Sequence, residues 1–129
     1  MIIADTDVLI DFLADRPPAA ERVALEIATG TLCTTAISRF ELLAGARSER
    51  QERMIHNLLD VLKTLPLDQD AADRAAEVRR QLDRAGEPIG MGDSLIAGIV
   101  LVRGGVLLTR NRTHFERVAG LHLTHMRAE

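Results

Sequence analysis

The stretch Met1-Ile-Ile-Ala-Asp5-Thr6-Asp7-Val-Leu-Ile-Asp-Phe-Leu13 constrains this chain more than any other. Ile2 and Ile3 begin a short apolar run, which stops at a carboxylate, Asp5. Val8, Leu9, Phe12 and Leu13 then recur at helical spacing. The reading is strand, acidic turn, helix. In an open α/β sheet that junction lies at the carboxyl end of a strand, where ligands bind. A charge there needs a partner, and a metal ion shared with other carboxylates of the chain would supply one.

The rest of the chain alternates between helices and strands. Ala19 to Thr29 reads as a helix, opened by Pro18 and ended by Gly30. Thr31 to Thr34 is a strand. Ala36 to Ala46 is a helix with Ile37, Phe40, Leu43 and Ala44 on its apolar side. Ser48 to Lys63 is another, carrying Met54, Ile55, Leu58, Leu59 and Leu62. Thr64 to Leu67 reads as an edge strand, since Pro66 cannot donate to a ladder. Asp68 to Arg84 is an amphipathic helix with Ala71, Ala75, Val78 and Leu82 as its stripe. The loop Ala85 to Gly92 is rich in Gly and Pro. Asp93 to Arg103 is a helix apolar on nearly every side, which places it centrally. Val106 to Thr109 is a strand, Thr113 to Val118 a short helix, and Leu121 to Leu123 a last strand. This alternation argues an α/β fold, with a mostly parallel sheet and helices on both faces. At 129 residues the chain suffices for one domain, residues 1–129, with a real core.

Composition narrows the function. Sixteen basic and 19 acidic residues leave a net charge of −3, whereas a duplex-binding module is more often strongly basic. Lys63 is the only lysine; arginine suits phosphate because its planar fork bonds two oxygens at once. Genomic codon bias accounts for the larger share of that skew. Cys33 is alone, so no disulfide forms within the chain, which fits a reducing compartment. Its place beside Leu32 reads as buried and structural. No basic, apolar leader precedes the first strand. The longest apolar run, Leu95 to Val102, is far below the roughly 20 residues of a membrane span. The expectation is a soluble cytoplasmic protein.

Four polar positions recur at matching places. Asp5 ends the first strand, Glu41 lies in the helix after the second, Asp93 begins the central helix, and Asn111 follows the strand Val106 to Thr109. A parallel sheet presents all four to one edge. Carboxylates crowded there take up protons or bind a cation. Oxygen-only ligation selects Mg²⁺ or Mn²⁺ over Zn²⁺. Such an ion acidifies water and neutralises phosphoryl charge, so the natural chemistry is phosphodiester hydrolysis. Each residue also has a structural explanation. Asp5 and Asn111 serve as turn residues, Asp7 is well placed as N-cap of the first helix, Ser38-x-x-Glu41 matches a capping box, and Asp93 can cap its own helix after Gly92. We prefer the cap for Asp7 over direct ligation.

Asp5-Thr6-Asp7 after an apolar strand, Ser38-Arg39-Phe40-Glu41, Gly92-Asp93-Ser94-Leu95-Ile96-Ala97 and Leu108-Thr109-Arg110-Asn111-x-x-His114-Phe115 together resemble the motif set of PIN-domain nucleases. Among these they resemble the VapC toxins of bacterial type II toxin–antitoxin pairs. The resemblance covers essentially the whole chain. It implies a three-layer α/β/α fold around about four to five short strands. It also implies a Mg²⁺- or Mn²⁺-dependent endoribonuclease, usually a homodimer, inhibited by a VapB-type antitoxin and acting on tRNA, rRNA or mRNA. Carried over by position, Asp5, Glu41, Asp93 and Asn111 are the catalytic set, with Asp5 and Asp93 as the main metal ligands. Thr6, Asp7 and Ser38 stand behind them. Arg39, Arg110 and Arg112 flank the set as RNA phosphate contacts, with plain solvated surface as the alternative.

Two departures matter. The usual triplet after the first strand is Asp-Thr-Asn or Asp-Thr-Ser, and Asp7 stands third here. The fourth acidic position of many PIN domains is Asn111, which favours a single metal ion over two. His56, His114, His122 and His125 offer no zinc spacing, and His114 reads as a packing or polar contact. With no Trp or Tyr and three Phe, base stacking is nearly unavailable. Three rivals compete: a small acidic-site phosphatase of haloacid-dehalogenase type, a receiver domain, and a non-catalytic regulatory binding module. The first two need a well-placed lysine, which Lys63 is not. The Leu58–Leu62 helical face weakly favours a dimer.

Overall fold

The computed structural model describes residues 1–127. Five strands, β1 (Ile2–Ala4), β2 (Leu32–Thr35), β3 (Lys63–Leu65), β4 (Val106–Leu108) and β5 (His122–Thr124), form one sheet in the order β3-β2-β1-β4-β5. Every pairing is parallel. Central β1 aligns Ala4 with Thr34 on one side and Leu108 on the other. The chain builds outward from β1 through β2 to β3, then returns to the far side of β1 as β4. The carboxyl ends of β1 and β4 therefore flank the point where strand order reverses, which is where open α/β sheets bind ligands.

Among the described residues seven helices cover the sheet: α1 (Thr6–Leu13), α2 (Ala19–Thr29), α3 (Ala36–Ala44), α4 (Glu49–Asp60), α5 (Gln69–Arg84), α6 (Met91–Arg103) and α7 (Arg112–Phe115). Alternate strand residues point to opposite faces. Ile3, Cys33, Leu65 and Leu107 face a core built with α5, α6 and Phe115. Ala4, Leu32 and Leu108 face a second core built with α1, α2 and α4. The three-layer expectation holds.

Local rules set most boundaries. Gly30 and Gly104 end α2 and α6 in the left-handed conformation, with φ of 74° and 75°. Ser48 and Asp68 cap α4 and α5 through their side chains. The α5 stripe Ala71, Ala75, Val78 and Leu82 is buried, and α6 is buried across Ile96, Ala97, Ile99 and Val100. A Cβ on Gly98 would stand 2.5 Å from the Ala71 carbonyl oxygen, so this glycine lets α5 and α6 pack at close range.

Several sequence expectations need correction. Lys63 belongs to β3 rather than to the preceding helix. α6 begins at Met91 with Gly90 as its N-cap, so Asp93 lies within the first turn and is not the cap. Leu58, Leu59 and Leu62 are buried in their own second core, so that face is spent within the chain and argues nothing about a dimer. Phe40 is 69% exposed, while Ser38 and Leu42 form the buried side of α3. An unanticipated buried ion pair, Arg22 Nε to Glu26 Oε1 at 3.0 Å, also ties α2 to the end of β5 through Thr124 and the His125 carbonyl.

Candidate active site

Asp5 leaves β1 at its carboxyl end and caps α1. Its extended backbone lets Oδ1 accept from Thr6 N at 2.8 Å. Its other oxygen accepts from the Thr109 hydroxyl at 2.7 Å, across from the end of β4. The carboxylate is buried. Burial, then the neighbouring Asp7, then Asp93 push its pKa up to about 7, against the two hydrogen bonds that pull it down. The site thus holds negative charge that the protein only partly compensates.

Asp7 is not the N-cap expected for it, because Asp5 fills that role two residues earlier. Its Oδ2 accepts instead from Arg110 N at 3.0 Å. Its Oδ1 is buried with no hydrogen-bond partner among the described residues, and burial raises its pKa.

Glu41 reaches the same place from α3. The N-cap of α3 is Thr35, whose hydroxyl accepts from Ser38 N at 3.1 Å, so Ser38 and Glu41 form no capping box. Thr6 Oγ1 lies 2.7 Å from Glu41 Oε1 and 2.8 Å from Ser38 Oγ. An ionised carboxylate only accepts, so the single Thr6 proton points to Glu41 and Ser38 donates to Thr6. Glu41 Oε2 sits 3.5 Å from where a Cβ on Gly92 would be, which lays it against the first turn of α6, beside Asp93.

Asp93 Oδ2 lies 3.3 Å from both Asn111 Nδ2 and His114 Nδ1, and those two nitrogens are 2.9 Å apart. His114 is therefore a polar contact of Asp93. The predicted set thus divides into linked contacts: Thr6 and Ser38 with Glu41, Asn111 with Asp93, and Thr109 with Asp5. Thr109 was missed as a site residue by sequence reasoning, which read it as the end of a strand and as part of the Leu108-to-Phe115 motif without a role of its own.

The flanking arginines are already engaged. Arg110 Nε pairs with Asp11 Oδ2 at 2.8 Å. Arg112 donates to the Thr124 carbonyl at 2.9 Å and lies 3.5 Å from Glu116. Arg39 reaches Thr64 at 3.5 Å. Phe40, next to Glu41 in the sequence, is exposed.

Oxygen donors, a buried carboxylate oxygen without a partner and repulsion between Asp5, Asp7 and Asp93 fit a hard divalent cation. Among the described residues no three acidic, histidine or cysteine side chains are grouped so that they could hold a metal ion. Mg²⁺ keeps several waters and takes one or two carboxylates, so a pair of aspartates can serve as its protein ligands. A hollow of 540 Å³ along the exposed side of α4 contains none of these groups; an ion between carboxylates needs no such cavity.

Residues 2–121 match the PIN domain family. The chain belongs to the PIN-domain family. Its relatives within that family are VapC ribonucleases. It is 33% identical over 121 residues to the tRNA(fMet)-specific endonuclease VapC of Shigella flexneri, covering 91% of each chain. It is 33% identical over 115 residues to Ribonuclease VapC10 of Mycobacterium tuberculosis strain H37Rv, covering 89% of this PIN domain chain and 86% of the relative. The DNA-bound VapBC of Salmonella typhimurium superposes with a TM-score of 0.87 at 30% identity, over 98% of both chains. VapBC-1 of nontypeable Haemophilus influenzae shares the fold, with a TM-score of 0.83 at 24% identity over 98% of both chains. No helix of this PIN-domain protein is long and apolar enough to cross a membrane, among the described residues.

Proposed function

We propose that this chain is the toxin of a type II toxin–antitoxin pair, an endoribonuclease that hydrolyses RNA phosphodiesters with Mg²⁺, or Mn²⁺ in its place. One observation carries the reading: a buried Asp5 at the strand-order reversal, with Asp7 and Asp93 close enough to raise its pKa. Asp5 and Asp93 would hold the ion. Bound there, it would supply an acidified water and neutralise charge on the phosphoryl oxygens. Thr109 and the Thr6 amide keep Asp5 aimed at the cleft. Asn111 and His114 orient Asp93. Ser38 and Thr6 fix Glu41, which lies on the more exposed side and is free to accept a proton from an attacking water. A phosphatase of haloacid-dehalogenase type is disfavoured because Lys63 stands on β3, two strands from β1.

The substrate class is RNA, and initiator tRNA is the first candidate because the Shigella flexneri relative is named for it. The regulator is a VapB-type antitoxin, since VapBC complexes share this fold. An acidic cleft invites a basic segment, and an antitoxin arginine or lysine reaching Asp5, Glu41 and Asp93 would displace the ion. The working form is a homodimer in the cytoplasm.

Asp93→Asn tests the reading. It keeps the shape and removes a charge, so metal-dependent cleavage of tRNA falls by two or more orders of magnitude while circular dichroism is unchanged. Cleavage by Asp93→Asn at the parent rate contradicts the assignment. Absence of cleavage by the parent at any metal concentration favours the non-catalytic binding module.

A further inference from the structure

Three consecutive residues of the segment between β4 and α7 each hold a different carboxylate. The Thr109 hydroxyl donates to Asp5, the Arg110 amide to Asp7 and the Asn111 side-chain amide to Asp93. Asn111 holds the N-cap position of α7 but makes no side-chain capping bond there. The segment is instead fastened to α1. Arg110 Nε pairs with Asp11 Oδ2 at 2.8 Å, and Asp11 lies one turn beyond Asp7 on the same helix face. Asp11 is only 5% exposed. Its other ionic neighbour, Arg16, is 3.8 Å away with its side chain 64% exposed. Arg110 is thus the closer counter-charge of a buried carboxylate, and losing it leaves only the more distant, exposed Arg16 to compensate that charge.

We propose that Asp11 and Arg110 form a clamp that positions the acidic site, a role resting on the metal-site reading above. The clamp holds the Thr109–Asn111 segment against α1, so that all three carboxylates keep their hydrogen bonds at once. Arg110 is a positioning residue, and its guanidinium is spent on Asp11 rather than on an RNA phosphate. Asp11 has no counterpart in the motif set that the sequence displays.

The test is calorimetric titration of Mn²⁺ into the purified full chain, its Asp11→Asn, Arg110→Gln and Arg110→Lys variants. Removing a residue that orients metal ligands weakens binding about 10-fold or more. Asp11→Asn and Arg110→Gln both show that loss, and Arg110→Lys recovers part of it by restoring the charge. With RNA at saturating Mn²⁺, Arg110→Gln lowers kcat and leaves KM unchanged. Should Asp11→Asn fail to fold, the surface-side Arg110→Gln carries the test alone. Mn²⁺ affinity of a folded Arg110→Gln within about twofold of the parent overturns the clamp, since ligand-orienting groups cost far more. A raised KM with unchanged Mn²⁺ affinity does so too, and makes Arg110 a phosphate contact. A parent that binds no Mn²⁺ overturns the metal reading and the clamp with it.

Discussion

Asp5 sets the chemistry of the whole site, because its charge is the hardest to keep. Its folded pKa of about 7 stands above the ordinary 3.8. Between those values the folded state binds a proton that the unfolded state has released. Metal-free stability therefore falls as pH rises from about 4 to about 7, by linkage. Thermal melts in EDTA will show that decline, and excess Mg²⁺ will reduce it by neutralising the same charge. Asp5→Asn will raise the melting temperature at pH 8 in EDTA by a few degrees and abolish the metal-induced shift. Thr109→Val keeps the shape of the side chain but removes the 2.7 Å bond to Asp5. It will cost about 1–3 kcal/mol in urea unfolding, the range for leaving a buried polar group without its hydrogen bond. At this scale the places of Asp5 at the end of the first strand and of Asp93 near the start of the central helix were legible, because an apolar run that stops at a carboxylate marks the edge of a parallel sheet. Asp7 was misread as a cap because two acids compete for that place, and backbone geometry awards it to Asp5. Thr109 and Asp11 were illegible because their partners come from the other end of the chain.

The helices were legible where one apolar stripe decides their orientation, as in α5, whose expected stripe is the buried one. α3 failed that test. Its Ile37-Phe40-Leu43-Ala44 pattern pointed Phe40 inward, yet Ser38 is fully buried by its bonds to Thr6 and Thr35. Polar satisfaction at the site turned the helix and left Phe40 outside. Periodicity counts apolar residues and gives no weight to such bonds, so functional helices are where it errs. The α5–α6 contact makes a sharper claim. Gly98→Ala places a methyl 2.5 Å from the Ala71 carbonyl oxygen and 2.7 Å from Ala75 Cβ. It will destabilise by about 1–3 kcal/mol, as overpacking does, despite alanine's better helix propensity. Equilibrium unfolding measures the difference, and a stabilised variant would show that the two helices can separate freely.

Across the molecule, topology performs the assembly. Strand order β3-β2-β1-β4-β5 brings the ends of β1 and β4 together, so residues far apart in the chain meet at one sheet edge. Alternating strands and helices made the parallel sheet legible before its order was. Order depends on which strands pair, and short strands of three or four residues carry little sequence information about that. The central claim is that the acidic cleft holds a divalent ion and cuts RNA. Its most direct measurement maps 5′ ends after digesting total RNA with the purified protein in Mg²⁺, in EDTA, and with Asp93→Asn in Mg²⁺. The account predicts discrete cuts in the first digest and none in the other two. Equal cutting in EDTA, or by Asp93→Asn, contradicts it.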